Sequence, residues 1–471
     1  MLKLYNTASR RKELFRPIAE GKVGIYTCGP TLNAHVHAGL VRRLLAVDVL
    51  KRVLLREGYQ VRHIVNLTDV DDKTIAESAR RGVRLDELTA EHAQAFFEDV
   101  AALRMAPADQ YPRATEHVTD MVDVTRRLVE AGFAYEMQRS VYFDISRLEG
   151  YGRLSGMDPG RVRTGATVDL DYYEKDAAHD FTLVRRSDLA ELRRRITWST
   201  EWGNVRPGWH VECAAMAARY LGPEFDIHTS GQDLVFPHNE NENAICQALS
   251  GRPMARWWLH AGLLRRGGRK MSRSAGTAVT LRDLLARGYT GSQVRWCLLG
   301  VHYRKHMEFN DETLDAACRE LARLDDLIRN LRRLSRDGCT GSSPEVDAAV
   351  EEADRGFRTA LRDDLNVPRA KARLFDLARV LNARLDAGGG LTRCDAELAL
   401  DFLYRADRVL CVMDFATDPE LDRRVDALVE ERRAAREAGD FARADALRAE
   451  LAVMGVSVDD TPGGSRVRRR S

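Results

Sequence analysis

The sequence has no apolar run long enough to cross a bilayer, and it lacks the charged-then-apolar opening of an export signal. Both absences lead to the expectation of a cytoplasmic address and no membrane partner. A charge excess is missing too: 73 basic residues against 71 acidic ones leave a net +2. Nothing in the bulk therefore draws the chain to nucleic acid, and any such binding must come from local patches. Cysteine is sparse. The eight in 471 residues are Cys28, Cys213, Cys246, Cys297, Cys318, Cys339, Cys394 and Cys411, with no CxxC pair among them. That spacing is no disulfide scaffold and announces no metal site by itself. No internal repeat is visible. What remains is the composition of a globular protein, 44% hydrophobic and 31% charged, with length for about three domains.

Taken in order, 22–27 reads as a strand ending at Cys28-Gly29-Pro30-Thr31, 39–56 as an amphipathic helix, and 61–67 as the next strand. The helix carries Leu40, Leu44, Leu45, Val47, Leu50, Val53 and Leu54 as its stripe. Strand, helix, strand predicts an α/β fold with a doubly wound parallel sheet, whose ligands gather at the carboxyl ends of the strands. Cys28 and the run Thr68-Asp69-Val70-Asp71-Asp72 stand at such ends. Helices are expected over 85–105 and 113–132. From about 112 to 206 the pattern changes to short β-like runs (140–145) with acidic (Asp169-Leu170-Asp171) and basic (Arg193-Arg194-Arg195) clusters, an insertion between two halves of the fold. The second half resumes near Arg206 with a helix carrying Met216 and Tyr220. A strand at 225–229, a polar turn at 230–233, a helix opened by Pro237 and a strand near 257–264 follow. Beyond 309 the periodicity is helical through 312–335, 345–362, 366–387, 395–412 and 421–453, which predicts an all-α bundle ending in a basic tail.

Three groups of residues carry chemistry. A helix from Pro237 puts His238 and Glu242 on one face, four residues apart, although such a pair is most often a solvated surface. Cys28 and Cys213 offer two thiolates, and the four together form a plausible Zn²⁺ ligand set that spacing alone does not separate from buried cysteines and a surface pair. The basic, glycine-flanked segment 267–276, with Lys270, Ser272, Arg273 and Ser274, suits transient capture of a polyphosphate, or is a solvated loop. His35 and His37 precede the helix start at Gly39, where imidazolium and helix dipole both suit developing phosphate charge.

Taken jointly, these residues resemble the class I aminoacyl-tRNA synthetases and, within them, the cysteinyl-tRNA synthetases. Lys270-Met271-Ser272-Arg273-Ser274 is similar to the KMSKS signature, and His37-Ala38-Gly39-Leu40 stands where the HIGH signature belongs. The runs beginning at Tyr26, Asn66, Arg206 and Phe236, and the tail 437–448 with Asp460-Thr461-Pro462, resemble the cysteine enzymes in the family's order. The resemblance implies one Zn²⁺ on Cys28, Cys213, His238 and Glu242, because a pocket shaped for cysteine cannot reject serine by shape, whereas zinc prefers the thiol. It implies ATP with Mg²⁺ as substrate and tRNA(Cys) as acceptor; a monomer is the expected state. His37, Lys270 and Arg273 would be catalytic. His37, Gly39, Ser230, Gly231, Asp233, Lys270, Ser272, Arg273 and Ser274 would hold ATP, and Gly29, Thr31, Thr68, Trp209 and His228 would shape the cysteine pocket. The expected domains are a Rossmann-type first half (1–111), an insertion (112–206), a second half (207–265), a signature-loop and stem-contact region (266–308), a tRNA-binding helical bundle (309–412) and an anticodon-binding module (413–471).

Departures are specific. Leu40 replaces the second histidine of HIGH, Thr229-Ser230 a glycine pair, Asn239 a histidine, Val184-Arg185 a Trp-Lys pair and Val467 a tryptophan. Leucine donates nothing to a phosphate, so a divergent paralogue is one expectation, with His35 as a substitute. Two further readings stay open: a ligase passing activated cysteine to a small amine, as in the mycothiol pathway, and a tRNA-binding protein that has lost catalysis.

Overall fold

The strand Lys22–Thr27 buries Val23, Ile25, Tyr26 and Thr27, a run too apolar for a sheet with a wet face. In the computed structural model, which describes residues 1–157, 180–273, 276–334, 341–386, 390–415, 419–454, 456–461 and 464–469, it lies inside a four-stranded parallel sheet. The order across that sheet is Ala255–Ala261, Phe225–Gly231, Lys22–Thr27, Gln60–Val65. The helix Ala38–Arg56 joins the last two in chain order and buries Val41, Leu45, Leu50 and Leu54. Chain order therefore reverses between Lys22–Thr27 and Phe225–Gly231. A sheet of this type opens a crevice there, outside the strands' carboxyl ends. Cys28 and Ser230 sit at those ends.

Two compact units divide the described residues: 1–289 with 303–308, and 290–302 with 309–471. The first contains the parallel sheet and the insertion. The insertion is a five-stranded antiparallel sheet, ordered Ala134–Met137, Ser140–Phe143, Phe181–Arg186, Gly203–Pro207, Trp198–Thr200. The acidic Asp169-Leu170-Asp171 cluster lies outside the described residues. An opening hairpin, Lys3–Asn6 with Arg11–Leu14, has no counterpart in the sequence reading. The second unit carries helices Asp311–Leu334, Pro344–Arg362, Val367–Asp386 and Arg393–Leu410, close to the expected spans. None of the helices is long and apolar enough to cross a membrane, among the described residues.

The helix opens at Pro237 as expected: Phe236 is extended (φ −133°, ψ 136°), because the residue before a proline is driven out of helical geometry, and helical turns run from Pro237 through a wider turn into Glu240–Ser250. Two expectations are corrected. The span 421–453 is two helices, Pro419–Glu437 and Phe441–Val453, separated at Gly439, whose φ of 75° breaks the helix. The chain beyond 309 is not helical to its end: Val456–Thr461 and Gly464–Arg469 pair antiparallel. Val456, Val458 and Val467 bury against Val425, Val429 and Leu451, so the valine standing for a tryptophan fills a small apolar core.

Candidate active site

Three segments converge at the switch point. Cys28 leaves the end of Lys22–Thr27, Cys213 lies in the helix Trp209–Leu221, and His238 and Glu242 flank the start of Glu240–Ser250. Their donor atoms all lie within 4.8 Å of one another, and all four residues are buried. The ligands of a tetrahedral ion, about 2.0–2.3 Å from the metal, stand roughly 3.3–3.8 Å apart, so the cluster has the dimensions of one small cation. Two sulfurs, an imidazole and a carboxylate also fit a borderline-soft divalent ion. The donor set and its burial match zinc.

The surroundings orient these groups. Thr7 Oγ1 donates to His260 Nδ1 (2.7 Å), His260 Nε2 donates to Asn239 Oδ1 (3.0 Å), and Asn239 Nδ2 donates to Glu242 Oε2 (2.7 Å). Burial pushes His260 down to about 3, which keeps it neutral and able to accept at one nitrogen while donating at the other. The Asn239 amide also reaches Cys28 Sγ (3.7 Å), and its oxygen accepts from Ser230 Oγ (2.6 Å). Asn239, a departure from the family pattern, thus fixes the carboxylate and the sulfur together. His210 and His238 share a proton between their Nδ1 atoms (3.0 Å), which turns His238 Nε2 to Glu242 Oε1 (3.0 Å). Trp209 stacks on the His238 ring at 4.1 Å. Burial alone would raise the Glu242 carboxyl, yet the imidazoles of His238 and His228 hold it well below the usual carboxylate range. In a site this dry the negative groups need positive charge.

The expected cysteine pocket borders the cluster. His228 Nε2 stands 3.1 Å from Glu242 Oε2 and 3.8 Å from Cys28 Sγ, its ring stacked on Trp258 at 4.4 Å. Thr31 and Thr68 form a parallel bridge, and Thr68 N donates to Pro30 O (3.0 Å). Gly29 N donates to Asn66 Oδ1 (2.8 Å), and a Cβ at Gly29 would lie 1.7 Å from Asn66 O. Main chain cannot swing aside as a side chain does. Gly29→Ala is expected to destabilise the fold by roughly 1–3 kcal/mol through overpacking and to spread the strand ends. An unchanged melting temperature would show that the close approach is not needed.

His37 caps the helix Ala38–Arg56 by accepting from Gly39 N at Nδ1 (3.1 Å). Burial, with Arg273 and Arg43, pushes its imidazole down to about 4, so the expected imidazolium is corrected to a neutral ring whose Nε2 is a hydrogen-bond donor. A Cβ at Gly39 would meet His37 Nδ1 at 2.9 Å, so a larger residue there would push the capping imidazole aside. Lys270 Nζ pairs with Asp233 Oδ2 at 2.5 Å, and Arg273 donates to Asn33 Oδ1 (2.9 Å) and to His35 O. Ser272 N donates to Thr277 Oγ1 (3.1 Å), while Ser274 lies outside the described residues. Gly231 ends its strand beside Asp233, whose Oδ1 would meet a Cβ at 2.4 Å. His210, His260 and Asn66 escaped the residue-by-residue reading, although Asn66 and His210 lie in runs already singled out, and Asn239 entered it only as a departure from the family pattern.

Residues 14–319 match the family described as tRNA synthetases class I (C) catalytic domain, 356–412 the DALR domain and 418–468 the cysteinyl-tRNA ligase anticodon binding domain. A cysteine–tRNA ligase of Chlamydia abortus is 42% identical, covering 99% of this chain and 98% of that protein. One of Methanosarcina acetivorans is 38% identical, covering 100% and 99%. Among solved structures, Mycobacterium tuberculosis methionyl-tRNA synthetase bound by methionyl-adenylate superposes with a TM-score of 0.62 at 16% identity, covering 96% of this chain and 99% of that one. A leucyl-tRNA synthetase from Agrobacterium radiobacter in a ternary complex reaches 0.61 at 12% identity, covering 84% and 85%. The last two bear on fold alone and agree with the parallel sheet and its crevice. On the full-length identity and the catalytic-domain match, the chain belongs to the cysteine–tRNA ligase family of class I aminoacyl-tRNA synthetases.

Proposed function

We propose that the protein activates L-cysteine with ATP and Mg²⁺ and transfers it to the 3′ end of tRNA(Cys), holding Zn²⁺ on Cys28, Cys213, His238 and Glu242. The observation that carries this reading is the convergence of those four buried donors at the switch point. Bound zinc would supply a soft Lewis-acid position that favours a thiolate over a hydroxyl, the distinction that shape alone makes poorly. Retention of every donor also favours catalysis over a purely tRNA-binding role.

In the first step the cysteine carboxylate oxygen forms a bond to the α-phosphorus as the bond to the bridging oxygen breaks and pyrophosphate leaves. In the second, the terminal ribose hydroxyl attacks the carbonyl and AMP leaves. Little covalent work falls to the chain, so position and charge dominate. His37 Nε2–H, on its cap, is aimed as a neutral donor. Lys270 exchanges Asp233 for phosphate: both partners are partly exposed, so the pair is worth only about 0–1 kcal/mol and is readily given up. Arg273 acts from the same loop, with Ser272 and Ser274 beside it. Ser230, Gly231 and Asp233 underlie the adenosine with Gly39, and Gly29, Thr31, Thr68, Trp209 and His228 bound the cysteine. The helical bundle and the terminal module take the tRNA, phosphates by arginine and anticodon by the module, a reading supported by the 418–468 match.

The test is isotopic exchange between pyrophosphate and ATP. Cysteine is expected to drive it and serine at equal concentration is not. Adding tRNA(Cys) should then yield a cysteinyl ester. Exchange without an ester would favour a small amine as acceptor, and no exchange at all would leave the tRNA-binding reading.

A further inference from the structure

Leu40 leaves the first turn of Ala38–Arg56 without the second imidazole of the family signature. His35 does not replace it: its ring stands edge-on to His92 at 5.3 Å, on the side of the helix Leu85–Ala102, and its carbonyl accepts from Arg273. Arg43 lies one turn beyond Leu40 on the same helix face, and long side chains on a helix lean toward its N-terminus, over the preceding turn. Its Nη2 donates to Cys28 O (2.8 Å) and Gly29 O (3.3 Å), and its Cδ lies 3.7 Å from where a Cβ on Gly231 would stand. The guanidinium thus spans the carboxyl ends of both switch-point strands, between the thiol cluster on one side and His37 and Asp233 on the other. Its charge is felt by both of these, holding the His37 imidazole down after burial and Arg273, and helping Lys270 hold Asp233 down against burial. Its Nε is buried with no hydrogen-bond partner among the described residues. The enclosed Nε is out of reach, so an anion would meet this half-buried cation at the outer nitrogens of the guanidinium, where it would lower the cost of holding the charge in the crevice.

We propose that Arg43 contacts the α-phosphoryl group of the nucleotide, supplying from one turn farther along the helix the charge that Leu40 does not. The proposal rests on the functional reading above and names a residue it did not assign. Binding of AMP and of adenosine, which differ only in that phosphate, is the test, measured calorimetrically with the zinc-loaded full chain. The protein is expected to prefer AMP. Arg43→Gln removes the charge and leaves a polar side chain that ends where Nε stands, and should lower AMP affinity about 10–100-fold while adenosine affinity, zinc content and melting temperature stay unchanged. Arg43→Lys should keep part of the preference, and Leu40→His introduced into Arg43→Gln should restore part of it. Equal affinities before and after Arg43→Gln, a parallel fall for adenosine, or loss of zinc or stability in that variant would each overturn the proposal, the last by making the arginine a tether for the Cys28–Gly29 turn. These arms need no turnover, so absent cysteine-dependent exchange in the unaltered protein would count against the functional reading alone.

Discussion

Cys213→Ala is expected to leave a folded protein that retains no zinc through gel filtration and shows no cysteine-dependent pyrophosphate exchange. The helix Trp209–Leu221 tolerates the change, because alanine is the strongest helix former and only one sulfur is lost from a buried position, a cost of about 1–2 kcal/mol. The metal does not tolerate it. Loss of an outer hydrogen-bonding partner typically weakens a metal site about 10–100-fold, and loss of a direct ligand should exceed that. His238, Glu242 and Cys28 would remain, held by Asn239 and His210, but three donors leave an additional open position and a poorer match to thiolate-rich zinc chemistry. Metal retained at one per chain, together with exchange, would remove Cys213 from the ligand set.

Lys270→Met is the second large effect. The ammonium sits over Asp233 on a short strand, Arg269–Lys270, so the substitution removes charge from the side of the crevice proposed for pyrophosphate without disturbing the sheet. Loss of one preorganised charge at developing negative charge costs about 10²–10³-fold in rate. The fall should appear in kcat for exchange, with KM for cysteine unchanged, because Lys270 pairs with Asp233 and not with the thiol cluster. The melting temperature should hold, since an exposed pair contributes at most about 1 kcal/mol. A variant that loses cysteine affinity in proportion to rate would contradict this division of the site.

What the sequence made legible follows from what its periodicities encode. The alternation from 22 to 65 led to the parallel sheet, and the strand ends led to Cys28. The helical periodicities after 309 led to most of the bundle. The i,i+4 argument for His238 and Glu242 reached the right pair for the right reason: Phe236 precedes a proline and leaves helical geometry, helical turns start at Pro237, and the two donors meet one turn apart. The convergence of Cys28 and Cys213 is a consequence of strand order, which local patterns do not state. Asn239 looked like a loss because a histidine was expected, whereas its amide bridges the sulfur and the carboxylate. Arg43 was invisible for a different reason. An arginine on an amphipathic helix reads as a solvated face, and only the approach of the Cys28 and Gly29 carbonyls shows it turned inward. The terminal hairpin was hidden by its arginines, although Val456 and Val458 alternate as a half-buried strand does.

Recognition of a thiol through four distant side chains is most directly tested by elemental analysis coupled to spectroscopy of the cobalt-substituted protein. The account predicts one zinc per chain and, after cobalt exchange, an absorption spectrum that shifts on adding cysteine and stays fixed with serine at the same concentration. A metal-free protein that still drives cysteine-dependent exchange, or a spectrum that responds equally to both amino acids, would contradict it.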